Sequence, residues 1–174
     1  MAVAGLGAMG TNHVRVLSDF PEVELVGVMD VDPARVQRAT ARRTFPGFTE
    51  LGALLESTKP DALIVAVPTR AHAPVVLEAL RRGVHVLVEK PIAATVEEAR
   101  AMAQEAMARG VLLSVGHVER FNPAVAELRR RLARGDAGRV FQIHARRIGP
   151  FPQRIRDVGV VLDLATHDVD VCRY

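Results

Sequence analysis

Residues 2–10 read Ala-Val-Ala-Gly-Leu-Gly-Ala-Met-Gly. A short apolar strand runs straight into Gly5-x-Gly7-x-x-Gly10. Residues 11–20 then read as a helix with Val14, Leu17 and Ser18 on one face. Residues 23–29, Val-Glu-Leu-Val-Gly-Val-Met, form the next strand and end at Asp30. Strand, glycine turn, helix, strand and terminal acid together make a βαβ unit that binds a dinucleotide. Gly5 permits the tight turn, Gly7 lets the backbone approach a pyrophosphate, and Gly10 lets helix and strand pack closely. The amides of Leu6, Ala8 and Met9 lie in that turn, where a helix start faces the phosphates. Asp30 accepts hydrogen bonds from the hydroxyls of an adenosine ribose and repels a 2′-phosphate, so NAD is the expected cofactor. Arg35 keeps NADP as the lesser option, and a glycine turn without ligand is the bland alternative.

The same grammar continues. Asp32 caps a helix that begins at Pro33 and runs to about Arg42. Residues 45–48 form a weak third strand, interrupted by Pro46 and Gly47. Residues 49–57 form a helix with Glu50 in its first turn, and residues 62–67 a buried strand. Pro68 and Thr69 end that strand at the carboxyl edge, beside the expected cofactor. His72 opens the next helix, and a packing histidine is the simpler reading there; His85, inside a strand, also reads as structural. Residues 84–88 are a buried strand that stops at Glu89-Lys90-Pro91. That places an acid and an amine at the edge where ligands bind an open α/β sheet.

Among 23 Lys and Arg residues only Lys59 and Lys90 are lysines. A lysine can exchange protons in a dry site, whereas an arginine does not; an exposed lysine at a strand end is the alternative. Thr95 and Glu98 form a capping box for a helix to Arg109, and residues 111–115 are a sixth strand. Alternation through Gly116 specifies an α/β fold, a Rossmann doubly wound parallel sheet.

After Gly116 the pattern changes. His117-Val118-Glu119-Arg120-Phe121-Asn122-Pro123 follows the strand directly. Asn122 and Pro123 start a helix through Arg134, residues 135–138 turn, and residues 139–147 read as a strand. Residues 149–157 form a loop with Arg154 and Arg156, and a last helix covers about 158–174. On it Asp163, His167 and Asp170 fall at i, i+4 and i+7, on one face. An acid/base role ranks above a metal face there, because no cysteine or second histidine cluster accompanies it. Arg129-Arg130-Arg131 reads as a solvated helix face rather than a nucleic-acid site.

Composition sets bounds. The chain has 174 residues, 49% hydrophobic and 25% charged, with net charge +3 and one cysteine, Cys172. That is a globular composition without a disulfide framework, expected in a reducing cytoplasm. No apolar run reaches the roughly 18–20 residues of a membrane span.

Four motifs in order resemble the Gfo/Idh/MocA oxidoreductase family: the glycine loop, Glu89-Lys90-Pro91, residues 116–123, and Gly159-x-x-x-Asp163-x-x-x-His167-x-x-Asp170. The resemblance implies a Rossmann domain at 1–116 and, at 117–174, the beginning of an incomplete α/β substrate domain, the chain being C-terminally truncated. It implies hydride transfer between nicotinamide and a secondary hydroxyl. Lys90 then bridges nicotinamide ribose and substrate hydroxyl, and His167 exchanges the proton with Asp163 alongside. Gly5, Leu6, Gly7, Ala8, Met9, Gly10, Asp30, Pro68, Thr69, His72, Glu89 and Lys90 are the expected cofactor residues. His117, Arg120, Asn122, Arg154 and Arg156 join Lys90, Asp163 and His167 at the substrate. Residues 116–123 and 149–163 look most like nucleotide-sugar members, with the 3-position of UDP-N-acetylglucosamine as the expected target. Inositol or a free sugar, or a non-catalytic dinucleotide-binding module, are the alternatives. The expected partners are a small-molecule substrate and copies of the same chain, with no nucleic acid and no membrane.

Overall fold

The computed structural model describes residues 1–146 and 161–174, apart from the side chains of Leu162 and Asp163. The chain divides into two compact units, Met1–Gly116 and His117–Tyr174.

In the first unit the elements alternate: β1 (Ala2–Ala4), α1 (Ala8–Ser18), β2 (Gly27–Met29), α2 (Pro33–Thr40), β3 (Gly47–Phe48), α3 (Leu51–Thr58), β4 (Ala62–Val65), α4 (His72–Arg81), β5 (His85–Val88), α5 (Val96–Arg109) and β6 (Leu113–Val115). The six strands form one sheet in the order β3-β2-β1-β4-β5-β6, with every pair parallel. The order reverses between β1 and β4, which makes that point the crevice for a ligand.

Side chains alternate across a strand, so each strand supplies both faces. Val3, Val28 and Ile64 pack with Leu6, Val14, Val36 and Phe45 under α1 and α2. Ala4, Leu63, Val65, Val86 and Val88 pack on the other face against Leu54, Val76, Leu80 and Met102 of α3, α4 and α5. Local signals hold the helix ends. The Asp32 carboxylate accepts the Ala34 amide at 2.9 Å with Pro33 at the first helical position. Thr95 and Glu98 bond each other's backbone amides reciprocally, and Gly110 (φ +65°) ends α5 in the left-handed region. Caps of this kind contribute about 1 kcal/mol each.

Two expectations shift. The β2 ladder covers only Gly27–Met29, not residues 23–29, its register with β1 running from Ala2 opposite Gly27 to Ala4 opposite Met29. Residues 24–26 are tied instead by the Met1 ammonium to the Glu24 carbonyl (2.7 Å) and by the Val26 amide to the Met1 carbonyl (2.8 Å). Glu50 is the residue before α3 rather than in its first turn, and its side chain makes no cap bond.

In the second unit a 3-10 turn (Val118–Phe121) leads into α6 (Pro123–Ala133), where Asn122 Oδ1 accepts the Ala124 amide at 3.0 Å. A π-helical turn (Val161–Ala165) precedes α7 (Thr166–Arg173). The expected strand at 139–147 does not form over its described residues, 139–146. Alternating apolar residues specify a face, but a strand needs a neighbour for its amides and carbonyls, and none pairs with it among the described residues. The expected loop at 149–157 lies outside the described residues.

Candidate functional site

The glycine loop is set by contacts that admit no side chain. Gly5 has φ +92°, and a Cβ there would sit 2.6 Å from the Ala66–Val67 backbone; at Gly10 it would sit 1.7 Å from the Gly5 carbonyl oxygen. Gly7 is different, since a Cβ would meet nothing within 4 Å. Gly7 is also the N-cap of α1, and no side chain caps the amides that follow. Ala8 and Met9 are exposed on that first turn. Bare helix-start amides facing open space fit the pyrophosphate of a dinucleotide.

Asp30 ends β2 and is 5% exposed. Its Oδ2 accepts the Leu6 amide at 2.7 Å and its Oδ1 the Asp32 amide at 2.9 Å, while Arg35 Nη1 stands 3.4 Å from Oδ2. A carboxylate has about four acceptor positions, so with these three donors in place Asp30 retains capacity for one ribose hydroxyl. It also anchors the glycine loop, a second duty that sequence spacing does not disclose.

On the other side of the switch point, β4 leads through exposed Pro68 into a 3-10 turn (Thr69–Ala71), with Thr69 7% exposed. His72, 1% exposed, places Nδ1 2.9 Å from the Pro91 carbonyl and Nε2 3.0 Å from the Val67 carbonyl. It brackets the chain after Lys90 against the end of β4, a packing role on the edge where the cofactor is expected. His85 is likewise structural, its Nδ1 accepting the Leu112 amide at 2.9 Å.

β5 delivers Glu89 and Lys90 to the same edge, and the Lys90–Pro91 peptide is cis. The Glu89 side chain is 14% exposed, and its Oε1 lies 2.7 Å from His13 Nε2. Burial works to raise the Glu89 pKa. The His13 hydrogen bond and charge, with the Lys90 amide and ammonium, outweigh it and hold the carboxyl below its ordinary value. His13 is absent from the sequence reading. The signal was there, since it follows Gly10 by three residues and so shares the helix face that Gly10 turns toward the sheet.

The second unit has its own polar cluster. Asp170, 8% exposed, receives Arg120 Nε at 2.8 Å and also Nη2, with His117 Nδ1 at 3.6 Å. The Arg120 bond holds the Asp170 carboxyl below the usual range against the effect of burial, with help from the His117 and His167 charges. Arg120 is thus engaged inside the unit, with its guanidinium 5.3 Å from the Tyr174 ring. Asn122, expected at the substrate, serves as the cap of α6. His167 is half-buried in α7, three residues before Asp170. The Asp163 side chain, Arg154 and Arg156 lie outside the described residues. The arginine run is matched locally: Arg130 and Arg131 pair with Glu127, and Arg129 donates to the Tyr174 hydroxyl at 3.1 Å. Among the described residues no His, Cys, Asp and Glu cluster could hold a metal, and no helix is long and apolar enough to cross a membrane.

Known proteins resemble this chain in sequence and fold. Residues 1–117 match the family model described as oxidoreductase family, NAD-binding Rossmann fold. The UDP-N-acetylglucosamine 3-dehydrogenase of Acidithiobacillus ferrooxidans is 33% identical over 97% of this chain and 51% of its own length. The NAD(+)-dependent scyllo-inositol 2-dehydrogenase of Bacillus subtilis is 30% identical over 99% of this chain and 52% of its own. The crystal structure of the WlbA dehydrogenase of Bordetella pertussis, in complex with NADH and UDP-GlcNAcA, superposes with a TM-score of 0.76 at 29% identity, covering 79% of this chain and 40% of that one. The chain spans about half the length of the curated relatives it matches. With the switch point, the glycine loop and the family model in agreement, the chain belongs to the Gfo/Idh/MocA family of oxidoreductases and carries its NAD-binding Rossmann fold.

Proposed function

We propose that this chain serves an NAD-dependent dehydrogenase acting on a secondary hydroxyl of a nucleotide sugar, with the 3-position of UDP-N-acetylglucosamine as the best candidate. The observation that carries the reading is Lys90 at the carboxyl end of β5, in the same sheet edge as the open glycine loop. NAD supplies a two-electron acceptor at the nicotinamide ring. In this reading residues 1–116 hold the dinucleotide and residues 117–174 begin the substrate domain. Lys90 is the fixed cation that orients the hydroxyl against the nicotinamide ribose. His167 takes the hydroxyl proton as hydride leaves the carbinol carbon, and Asp163 orients His167. Arg154 and Arg156 suit a diphosphate.

The nucleotide-sugar choice is supported by the similarity to the Acidithiobacillus enzyme and to the complex with UDP-GlcNAcA. Inositol is the second reading, favoured by the Bacillus relative at nearly the same identity. The proposal extends to a homo-oligomer in the cytoplasm. The deciding assay follows NADH formation at 340 nm with UDP-sugars, inositols and free sugars, using the natural full-length protein. Turnover of UDP-N-acetylglucosamine, lost by about 100-fold or more in Lys90→Met while NADH still binds, is the expected result. Turnover of inositol alone would select the second reading, and NADH binding without turnover of any substrate would leave a dinucleotide-binding module.

A further inference from the structure

Val65, Val88 and Val115 stand in register on adjacent parallel strands, so Ala66, Glu89 and Gly116 form a row along the carboxyl edge. Only Glu89 in that row has a long side chain. It is folded inward: His13 Nε2 lies 2.7 Å from Oε1, and the Lys90 amide bonds the same carboxylate. Gly116 leaves the room it needs, since a Cβ there would come within 3.2 Å of Oε2. The carboxyl is held below its ordinary pKa, so at neutral pH the bond from His13 is made to an ionised group and is of the stronger class.

The two ends of this bond belong to different parts of the dinucleotide site. His13 rides on α1, the helix whose first turn faces the pyrophosphate. Glu89 immediately precedes Lys90. A dinucleotide crossing the switch point sets its adenosine half over β1 and β2, where Asp30 stands, and its nicotinamide half over β4 and β5. The bond therefore links the phosphate-binding helix to the nicotinamide side of the sheet and touches nothing on the adenosine side.

We infer that His13 is a positioning residue for the nicotinamide half of the site: through Glu89 it fixes the main chain at Lys90 against the phosphate-binding helix. The inference rests on the dinucleotide reading. It separates His13 from a residue that merely packs α1 on the sheet. Loss of packing would disturb the glycine loop and weaken every ligand that uses it, whereas loss of the brace weakens only ligands that carry the nicotinamide ribose.

Two probes divide the site accordingly. ADP has the adenosine and pyrophosphate but neither the second ribose nor the nicotinamide, and NADH has all four parts. Calorimetric titration of the full chain with each compares the wild type with His13→Ala, His13→Gln and Glu89→Gln. The expected result for His13→Ala is an NADH Kd raised about tenfold with the ADP Kd within about twofold of wild type. In His13→Gln the amide reaches the place of Nε2 and can still donate, so most of the NADH affinity returns. Should His13→Ala fail to fold, Glu89→Gln carries the same test. It keeps the shape and removes the charge, and a smaller loss confined to NADH is expected.

Equal weakening of both ligands, no weakening of either, or no recovery in His13→Gln would each overturn the brace. A wild-type protein that binds neither ligand would overturn the dinucleotide reading itself, a failure visible before any variant is made.

Discussion

The two units of the chain are held together by different forces. In Met1–Gly116 both faces of the sheet are sealed by apolar side chains, with Leu54, Leu63, Leu80 and Met102 fully buried. In His117–Tyr174 the only buried residue among those described is Asp170, pinned by Arg120, while Val118, Phe121 and Phe141 are exposed. The first unit's stability should track buried apolar volume and change little with salt. In the second, the buried side chain among the described residues is held by an ion pair, so that contact should track protonation and ionic strength. A site that must hold a dinucleotide in fixed geometry is built on the part with the packed core.

The largest expected effect breaks the first side of that contrast. Leu80→Ala empties a fully buried position of α4 and should destabilise Met1–Gly116 by about 2–5 kcal/mol in urea melts. A cost below about 1 kcal/mol would mean that the position collapses around the loss.

Next come two glycines that look alike in the motif. Gly10→Ala drives a methyl into the Gly5 carbonyl, so thermal stability and NADH binding should fall together. Gly7→Ala adds its methyl to open space, so the melting temperature should hold while NADH affinity falls by about tenfold or more. Parallel losses in both variants would remove the distinction between a packing glycine and a ligand-facing one.

The third prediction tests the second unit by pH. The folded-state pKa of Asp170 is depressed, first by the Arg120 hydrogen bond. Its stabilising contribution is therefore complete above the unfolded value, about 3.9, and is lost as pH falls through the folded value. Amide-exchange protection of α7 should fall in that acidic window in the wild type. In Asp170→Asn it should be lower at neutral pH and lack that step. Glu89, also depressed, titrates in the same direction but within the first unit, so its step should survive in Asp170→Asn. The smallest effect is expected at Arg130, whose partner Glu127 is shared with Arg131 on an exposed helix face; Arg130→Ala should leave the melting curve unchanged.

Much of the helix placement in both units was legible because its signals are local. Asp32-Pro33, Thr95…Glu98 and Asn122-Pro123 each mark a helix start within four residues, and the structure places helices at all three. What a sequence pattern does not carry is the partner. The run at 139–147 has strand-like alternation, yet its described residues pair with no strand among the described residues. His13 sits 76 residues from Glu89, and only the folded sheet edge brings them together. His72 was readable as a packing residue, but not as the bracket on the Pro91 and Val67 carbonyls. Asp30 was readable as a ribose acceptor, but not as the acceptor of the Leu6 amide.

That last contact constrains anyone wishing to retarget the cofactor. Replacing the acid after the second strand is the direct way to admit a 2′-phosphate, because it removes the repelling charge. Here the same edit also strips the glycine loop of the carboxylate that holds the Leu6 amide at 2.7 Å. A small neutral residue at position 30 trades specificity against loop order. Asn sheds the charge and keeps one acceptor oxygen for the Leu6 amide, but it turns its NH2 toward the Asp32 amide that the other carboxylate oxygen accepts.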